Sequence, residues 1–197
     1  MGHLERTNSV NSANPQRSLP SRKLIKRELE AGKLGEPGLI RVHCWEGSKA
    51  SDPAGEFPPA LLEQLDLILW LMGKPPQRVY ASDLRRVSGR PGTYVQIHLS
   101  FPGNAMGLLV SARLLPESAP SCSLHVIGSA GAAYLDDQQN MQLLFQNGSP
   151  RGIFAAEKLA ADGGLVHPPQ DWKPVLAVAE AVKKSLQSGQ AVSLEGR

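Results

Sequence analysis

The feature that most constrains this chain is a change of hydrophobic period near residue 77. Upstream, ALLEQLDLILWLMG (60–73) carries Leu61, Leu65, Ile68, Leu69 and Met72 at helical spacing, and Leu62, Leu67 and Leu71 fill much of the remaining surface. A helix this apolar is buried on most sides, each large side chain contributing roughly 1.5–3 kcal/mol when fully buried. Lys74-Pro75-Pro76 ends it, because proline cannot continue the backbone ladder. Downstream the period becomes 2. QRVYASDLR (77–85), TYVQIHLSF (93–101), AMGLLVSARLL (105–115), SCSLHVIGS (121–129), GAAYLDD (131–137) and NMQLLFQN (140–147) read as strands. Their separators are rich in Pro, Gly, Asn and Asp, the residues of tight turns. Links this short favour antiparallel neighbours, since a parallel return needs a dozen or more residues. In 93–101, Val95, Ile97, Leu99 and Phe101 share one face, while Tyr94, Gln96, His98 and Ser100 share the other. One face packs on helices; the other stays semi-polar.

The flanking segments complete the pattern. RKLIKRELEAGK (22–33) places Leu24, Ile25 and Leu29 on one helical stripe, and GLIRVHCW (38–45) reads as a strand followed by a loop through Pro59. Residues 148–170 read as a loose loop. DWKPVLAVAEAVKKSLQSG (171–189) then forms a last helix, buried through Val175, Val178, Val182 and Leu186 and stopped at Gly189. The fold class is α+β: a mainly antiparallel open sheet, helices on one face, the other face available for association.

Charge and cysteine content narrow the function. The 197 residues hold 21 basic and 18 acidic side chains, a net of +3 that is too mild for a nucleic-acid footprint. Residues 1–33 carry seven bases and three acids, whereas the other 164 carry 14 and 15. The basic surplus therefore sits on the N-terminal segment, of which 1–18 reads as a disordered or extended arm and 19–197 as the domain. No apolar run approaches the ~18 residues of a membrane span and no secretory signal precedes the domain, so a cytoplasmic, reduced location is expected, without membrane or nucleic-acid partners. Cys44 and Cys122 are too few for a disulfide framework or a cysteine-rich zinc site.

Chemistry-bearing motifs are sparse. No GxGxxG follows a strand and opens a helix, and no GxxxxGKS/T, HExxH, CxxC or GxSxG occurs. Gly128-Ser-Ala-Gly131 joins two strands and reads as a turn, as does the Asn147-Gly-Ser149 acceptor sequence. The five histidines lack metal-ligand spacing; His98 and His125 are ordinary strand residues. His43 and Cys44 are adjacent on a strand and so point to opposite faces, poorly placed for a thiol–imidazole pair.

Four stretches in register resemble the C-terminal sheet domain of the Gfo/Idh/MocA oxidoreductase family (glucose–fructose oxidoreductase and inositol dehydrogenase-like). They are residues 14–45, residues 61–81, the pair 94–112 and 124–137, and residues 178–194; Asp66, Trp70 and Gly73 match its Asp-x-x-x-Trp-x-x-Gly signature. Family members pair this domain with a preceding Rossmann domain and transfer hydride between NAD(P) and a sugar or polyol. The resemblance implies a chain that starts after that half, so it holds no cofactor; NAD(P) would require a separate Rossmann domain. The family helix commonly begins Gly-Gly-x-x-x-Asp-x-x-x-His-x-x-Asp. With Asp66 as the final Asp, the histidine position is Glu63, the aspartate position Pro59 and the glycine pair Ala54 and Gly55. Proline has no side-chain proton to move, which removes one catalytic role; Glu63 retains a carboxyl that burial could make a general base.

The expectation is therefore a catalytically degenerate relative, leaning away from an enzyme as an isolated chain and acting as an oligomerisation or interaction module. Its partners would be a second copy, met through a sheet face bearing Tyr94, Gln96 and His98, or a Rossmann-domain protein. The alternative is a sugar- or polyol-binding part of an NAD(P)-dependent dehydrogenase, truncated or completed by another chain, with Arg41, His43, Trp45 and Glu63 as substrate contacts. No metal site is expected.

Overall fold

The computed structural model describes residues 14–47, 59–83, 94–115, 121–137, 141–146, 149–154 and 171–194. The chain begins with two short helices, α1 (Pro15–Ser18) and α2 (Pro20–Glu30), then β1 (Pro37–Gly47) and the apolar helix α3 (Pro59–Met72). Strands β2 (Arg78–Asp83) and β3 (Tyr94–Ser100) follow, then a single 3-10 turn and β4 (Met106–Leu115). The rest comprises β5 (Ser121–Gly128), β6 (Gly131–Asp136), β7 (Met141–Gln146), β8 (Ser149–Phe154), helix α4 (Lys173–Ser188) and β9 (Val192–Ser193).

The nine strands form one sheet in the order β8-β7-β6-β5-β1-β4-β3-β2-β9. Every neighbouring pair is antiparallel except β1 with β4. The α+β class read from the sequence is the observed one. The neighbour rule fails once, because β4 and β5 do not pair and β1 lies between them. Stepping over one strand spans only about 10 Å, which a link of a few residues covers. The consequence is functional: β1 becomes the central strand, and its side chains sit mid-sheet.

Strand alternation divides the sheet into two faces. Ile40, Val42 and Cys44 of β1 point to the helix side with Val95, Ile97, Leu99, Leu109, Leu124 and Val126, all buried in one core with α3 and α4. The β3 alternation matches the reading from sequence, residue for residue. Helix α3 lies so close to β4 that a Cβ on Gly107 would come within 2.8 Å of Ile68 Cγ2, which is why glycine stands there. Helix α4 packs on β2 and is stapled by Ser185, which is fully buried. Its hydroxyl accepts from the Ala81 amide at 2.9 Å and donates to the Gln190 carbonyl at 2.7 Å. Gly189 caps α4 with a φ of 68°, the stop that the sequence signals.

Three expectations are corrected. Residues 149–154, read as loop, form edge strand β8; its Pro150 and Gly152 are turn-type residues, and proline is tolerated in a sheet at an edge. The arm does not extend to residue 18, because Pro15–Ser18 is helical, capped by the Asn14 side chain accepting from the Gln16 amide at 2.8 Å. Cys44 and Cys122 stand in register across β1 and β5, with Cα atoms 4.2 Å apart, and are bonded. That single cross-strand disulfide runs against the reduced-compartment reading. Ala54, Gly55 and the Asn147-Gly-Ser149 sequence lie wholly or partly outside the described residues.

Candidate functional site

The Asp-x-x-x-Trp-x-x-Gly signature lies along the second half of α3. Asp66 is 1% exposed, an expensive place for a carboxylate unless it is paired and hydrogen-bonded. The N-terminal segment supplies both. Asn14 Nδ2 donates to Asp66 Oδ2 at 2.6 Å and to the Glu63 carbonyl at 2.8 Å, and Arg17 forks onto both Asp66 oxygens. Arg17 also lies over the Trp70 ring, its guanidinium carbon 5.5 Å from the ring centre. Lys26 approaches the same ring at 5.8 Å and donates to the Trp70 carbonyl at 2.9 Å. Gly73 ends α3 with a φ of 71°. The signature is thus a clasp that docks α1 and α2 against α3. A cleft of about 300 Å³ beside it is lined by Trp70, Lys74, Asp171 and Pro174 among others, and Glu63 is not part of it. A second clasp joins α2 to the residue that follows β6: Arg22, itself 2% exposed, makes two bonds of 2.7 and 2.6 Å to Asp137.

Glu63 lies one turn before Asp66, partly buried. Its carboxyl is pushed above the usual range, first by burial, then by the nearby charges of Glu46 and Asp66. A carboxyl so placed holds its proton more readily than a solvated one, the property a proton-handling group needs. Its proposed companions are elsewhere. Arg41, His43 and Trp45 are the odd-numbered residues of β1 and project from the face opposite α3. The sheet separates them from Glu63, so the four residues read as one substrate mouth do not meet. Pro59 opens α3.

The sheet's outer face gathers the other candidates. Register pairing aligns Arg41, His125 and Tyr134 in one row across β1, β5 and β6, and His43, Ser123 and Asp136 in the next. The rings of His125 and Tyr134 meet edge to face at 4.5 Å, and the Tyr134 hydroxyl donates to Asp136 Oδ2 at 3.1 Å. Trp45 Nε1 donates to His43 Nε2, which requires that nitrogen to be unprotonated. Both imidazoles are held below the usual histidine range, first by burial and then by the Arg41 charge. Burial, then the bond to Asp136, raises the Tyr134 hydroxyl. Tyr94, Gln96 and His98 share this face, half-buried, with the His98 ring 6.2 Å from that of Tyr80. Trp45, Tyr80, Met106 and Ile127 project from it at 43, 42, 45 and 50% exposure.

The glycine-rich turn is no anion cradle. The Ser129 and Ala130 amides donate to the Glu36 and Leu34 carbonyls at 3.0 and 3.1 Å, so the backbone donors that would hold a phosphate are already used. A Cβ on Gly128 would fall 2.0 Å from the Leu34 carbonyl oxygen, so packing of two turns explains this glycine. Among the described residues no group of three or more His, Cys, Asp or Glu is placed to hold a metal. Asn14, Arg17, Arg22 and Asp137 carry the two clasps yet belong to no local motif; their partners lie 49 to 115 residues away.

Solved structures share this fold. An oxidoreductase from Agrobacterium radiobacter, in complex with NAD+, L-tartaric acid and magnesium, superposes with a TM-score of 0.74 at 16% identity, over 93% of this chain and 64% of its own. A probable dehydrogenase from Thermotoga maritima gives 0.69 at 22% identity, over 91% and 63%. Aldose-aldose oxidoreductase from Caulobacter crescentus, complexed with glycerol, gives 0.70 at 17%, over 90% and 62%. The chain thus spans less than two thirds of each. No curated protein matches its sequence. The family description "GFO/IDH/MocA C-terminal domain" matches residues 23–134, more than half of the chain, running from within α2 through α3 and the sheet into β6. With the signature clasp and the helix-backed sheet in place, the chain belongs to the Gfo/Idh/MocA oxidoreductase family, as its C-terminal domain.

Proposed function

We propose that this chain is an association module built on an oxidoreductase sheet domain, and that alone it transfers no hydride. The observation that carries this reading is the outer sheet face. An antiparallel sheet may leave one face to water when that face is polar. This one presents Trp45, Tyr80, Met106 and Ile127, each at least 42% exposed, around a polar centre. Large exposed apolar side chains gathered on one face mark a surface that is covered in use. A second copy of the chain is the partner. The inactive half of the reading rests on residue chemistry: Pro59 stands where the family pattern has an acid, and Glu63 stands where it has histidine. The described residues also do not fit a dinucleotide, because their one glycine-rich turn has its amides engaged.

A second reading is favoured by the raised carboxyl of Glu63. It makes the chain the sugar- or polyol-binding part of an NAD(P)-dependent dehydrogenase, with a Rossmann domain supplied by another chain or by a longer reading frame. NAD+ and tartaric acid in one relative, and glycerol in another, point the same way.

Three measurements test these readings. Multi-angle light scattering across a hundredfold concentration range should give a dimer; a monomer throughout would refute association. NAD(P)H oxidation should be absent with every aldose and polyol tried, and measurable turnover would refute inactivity. Thermal stabilisation by a polyol that disappears in Glu63→Gln would favour the second reading.

A further inference from the structure

We propose that the Cys44–Cys122 disulfide is a redox latch on helix α2. Closed, it fixes Asp137 where Arg22 needs it; a dithiol reductant that opens it releases the first turn of the helix. The inference is independent of the association reading and of any chemistry at Glu63.

The latch is a run of direct bonds. Cys122 is the second residue of β5, and its partner Cys44 stands one position before the β1–β5 pairing ends at Trp45 and Ser121. On the other side of β5, the pairing with β6 ends at Ser123 and Asp136. The Asp137 amide adds one bond beyond that end, to the Cys122 carbonyl at 3.1 Å. Cys122 thus stands at the end of two ladders, where strands ordinarily fray, and the disulfide holds it there. Asp137 turns this backbone anchor into a contact with α2 by taking the fork from Arg22, the third residue of that helix.

Arg22 stays buried at low cost only while that carboxylate is in place, because a buried charge without its counter-charge is expensive. Leu19 caps α2 with no side-chain bond, so the Asp137 contact is what secures the first turn. Leu24 and Ile25, buried in the core, keep the rest of the helix docked. Opening the latch therefore lets the first turn unwind and carry the Arg22 guanidinium to water. Access to the disulfide is one-sided: Cys44 is buried and Cys122 only partly so. One thiolate of a dithiol attacks the Cys122 sulfur, and Cys44 leaves as a thiolate and takes up a proton. The second thiol of the reductant then displaces Cys122, which takes up the other proton. The reductant ends as a disulfide, and the protein has gained two electrons and two protons.

A thermodynamic cycle tests the latch. Asp137→Asn should lower the melting temperature of the oxidised chain by about 4 °C or more. In chain reduced with dithiothreitol the same substitution should cost less than about half as much, because reduction has already parted Asp137 from Arg22. Equal shifts in the two states would overturn the inference, since independent sites add. Hydrogen exchange places the change. The Arg22 and Lys23 amides, bonded to the Leu19 carbonyl at 3.1 and 3.0 Å, should exchange at least about tenfold faster on reduction. They should be as fast in oxidised Asp137→Asn, and should slow again when oxidised glutathione recloses the wild-type bond. Amides that exchange alike in both redox states, or stay fast after reoxidation, would overturn the latch, as would two reactive thiols in chain purified without reductant. If Asp137→Asn does not fold, Arg22→Met removes the buried charge and should abolish the effect of reduction on the Lys23 amide; an effect as large as in the wild type would overturn the inference.

Discussion

Cys44 and Cys122 face each other across the two central strands and close a loop with a sequence separation of 78 residues, so their bond restricts a large part of the unfolded chain. In the chain-entropy account a loop of that length removes about 15 cal/mol/K from the unfolded ensemble, or about 4.5 kcal/mol at 25 °C. For a chain of about 200 residues each kcal/mol moves the melting temperature by about 2–4 °C. Reduction should therefore lower the melting temperature by about 10 °C or more. Cys122→Ala should do the same, and is the better substitution because Cys122 is only partly buried whereas Cys44 belongs to the core. The assay is a thermal melt followed by circular dichroism on oxidised chain, reduced chain and variant. Reductant should shift the wild type and leave Cys122→Ala unmoved. Melting temperatures within about 2 °C across all three samples would refute the argument that this bond ties the β5–β8 half of the sheet to β1.

Three further outcomes follow from the geometry. Arg17→Ala leaves the buried Asp66 with Asn14 as its remaining named partner and should cost about 2–3 kcal/mol in urea unfolding; the figure sits below that of a fully buried pair because Arg17 is 30% exposed. The folded-state values of His43 and His125 are depressed, so the unfolded chain takes up protons first on acidification. Stability should be fully present above about pH 6.5 and fall as pH drops below it, with His125→Gln flattening the slope in melts between pH 7.5 and 5. Glu63 is disfavoured in its charged form, so Glu63→Gln should raise the melting temperature at pH 7, and the gain should vanish below pH 4, where both states hold the proton.

What the sequence discloses about this molecule follows the range of each signal. Alternation in β3 and the apolar density of α3 are local, and both appear in the structure as read. The placement of β1 between β4 and β5 is not local; no residue near 105–128 announces that a strand from 37–47 will enter there. The same holds for the two clasps and the disulfide, whose members lie 49 to 115 residues apart. Strand β8 was hidden because Pro150 and Gly152 carry turn chemistry that an edge strand tolerates. Arg41, His43 and Trp45 were legible as one face of one strand. Which face meets α3 was not, and that is why Glu63 was grouped with them.

The two clasps also show how the two faces of the sheet differ in the way they treat arginine. Where helices cover the sheet, the fold supplies carboxylates to two arginines: Asp137 takes a two-bonded fork from the nearly inaccessible Arg22, and Asp66 does the same for Arg17. Arg41, on the uncovered side, meets two histidines and an apolar strand instead. The Nε atoms of Arg22 and Arg41 are both buried without a hydrogen-bond partner among the described residues, so what separates the two arginines is the carboxylate that Asp137 brings to Arg22 through its other nitrogens.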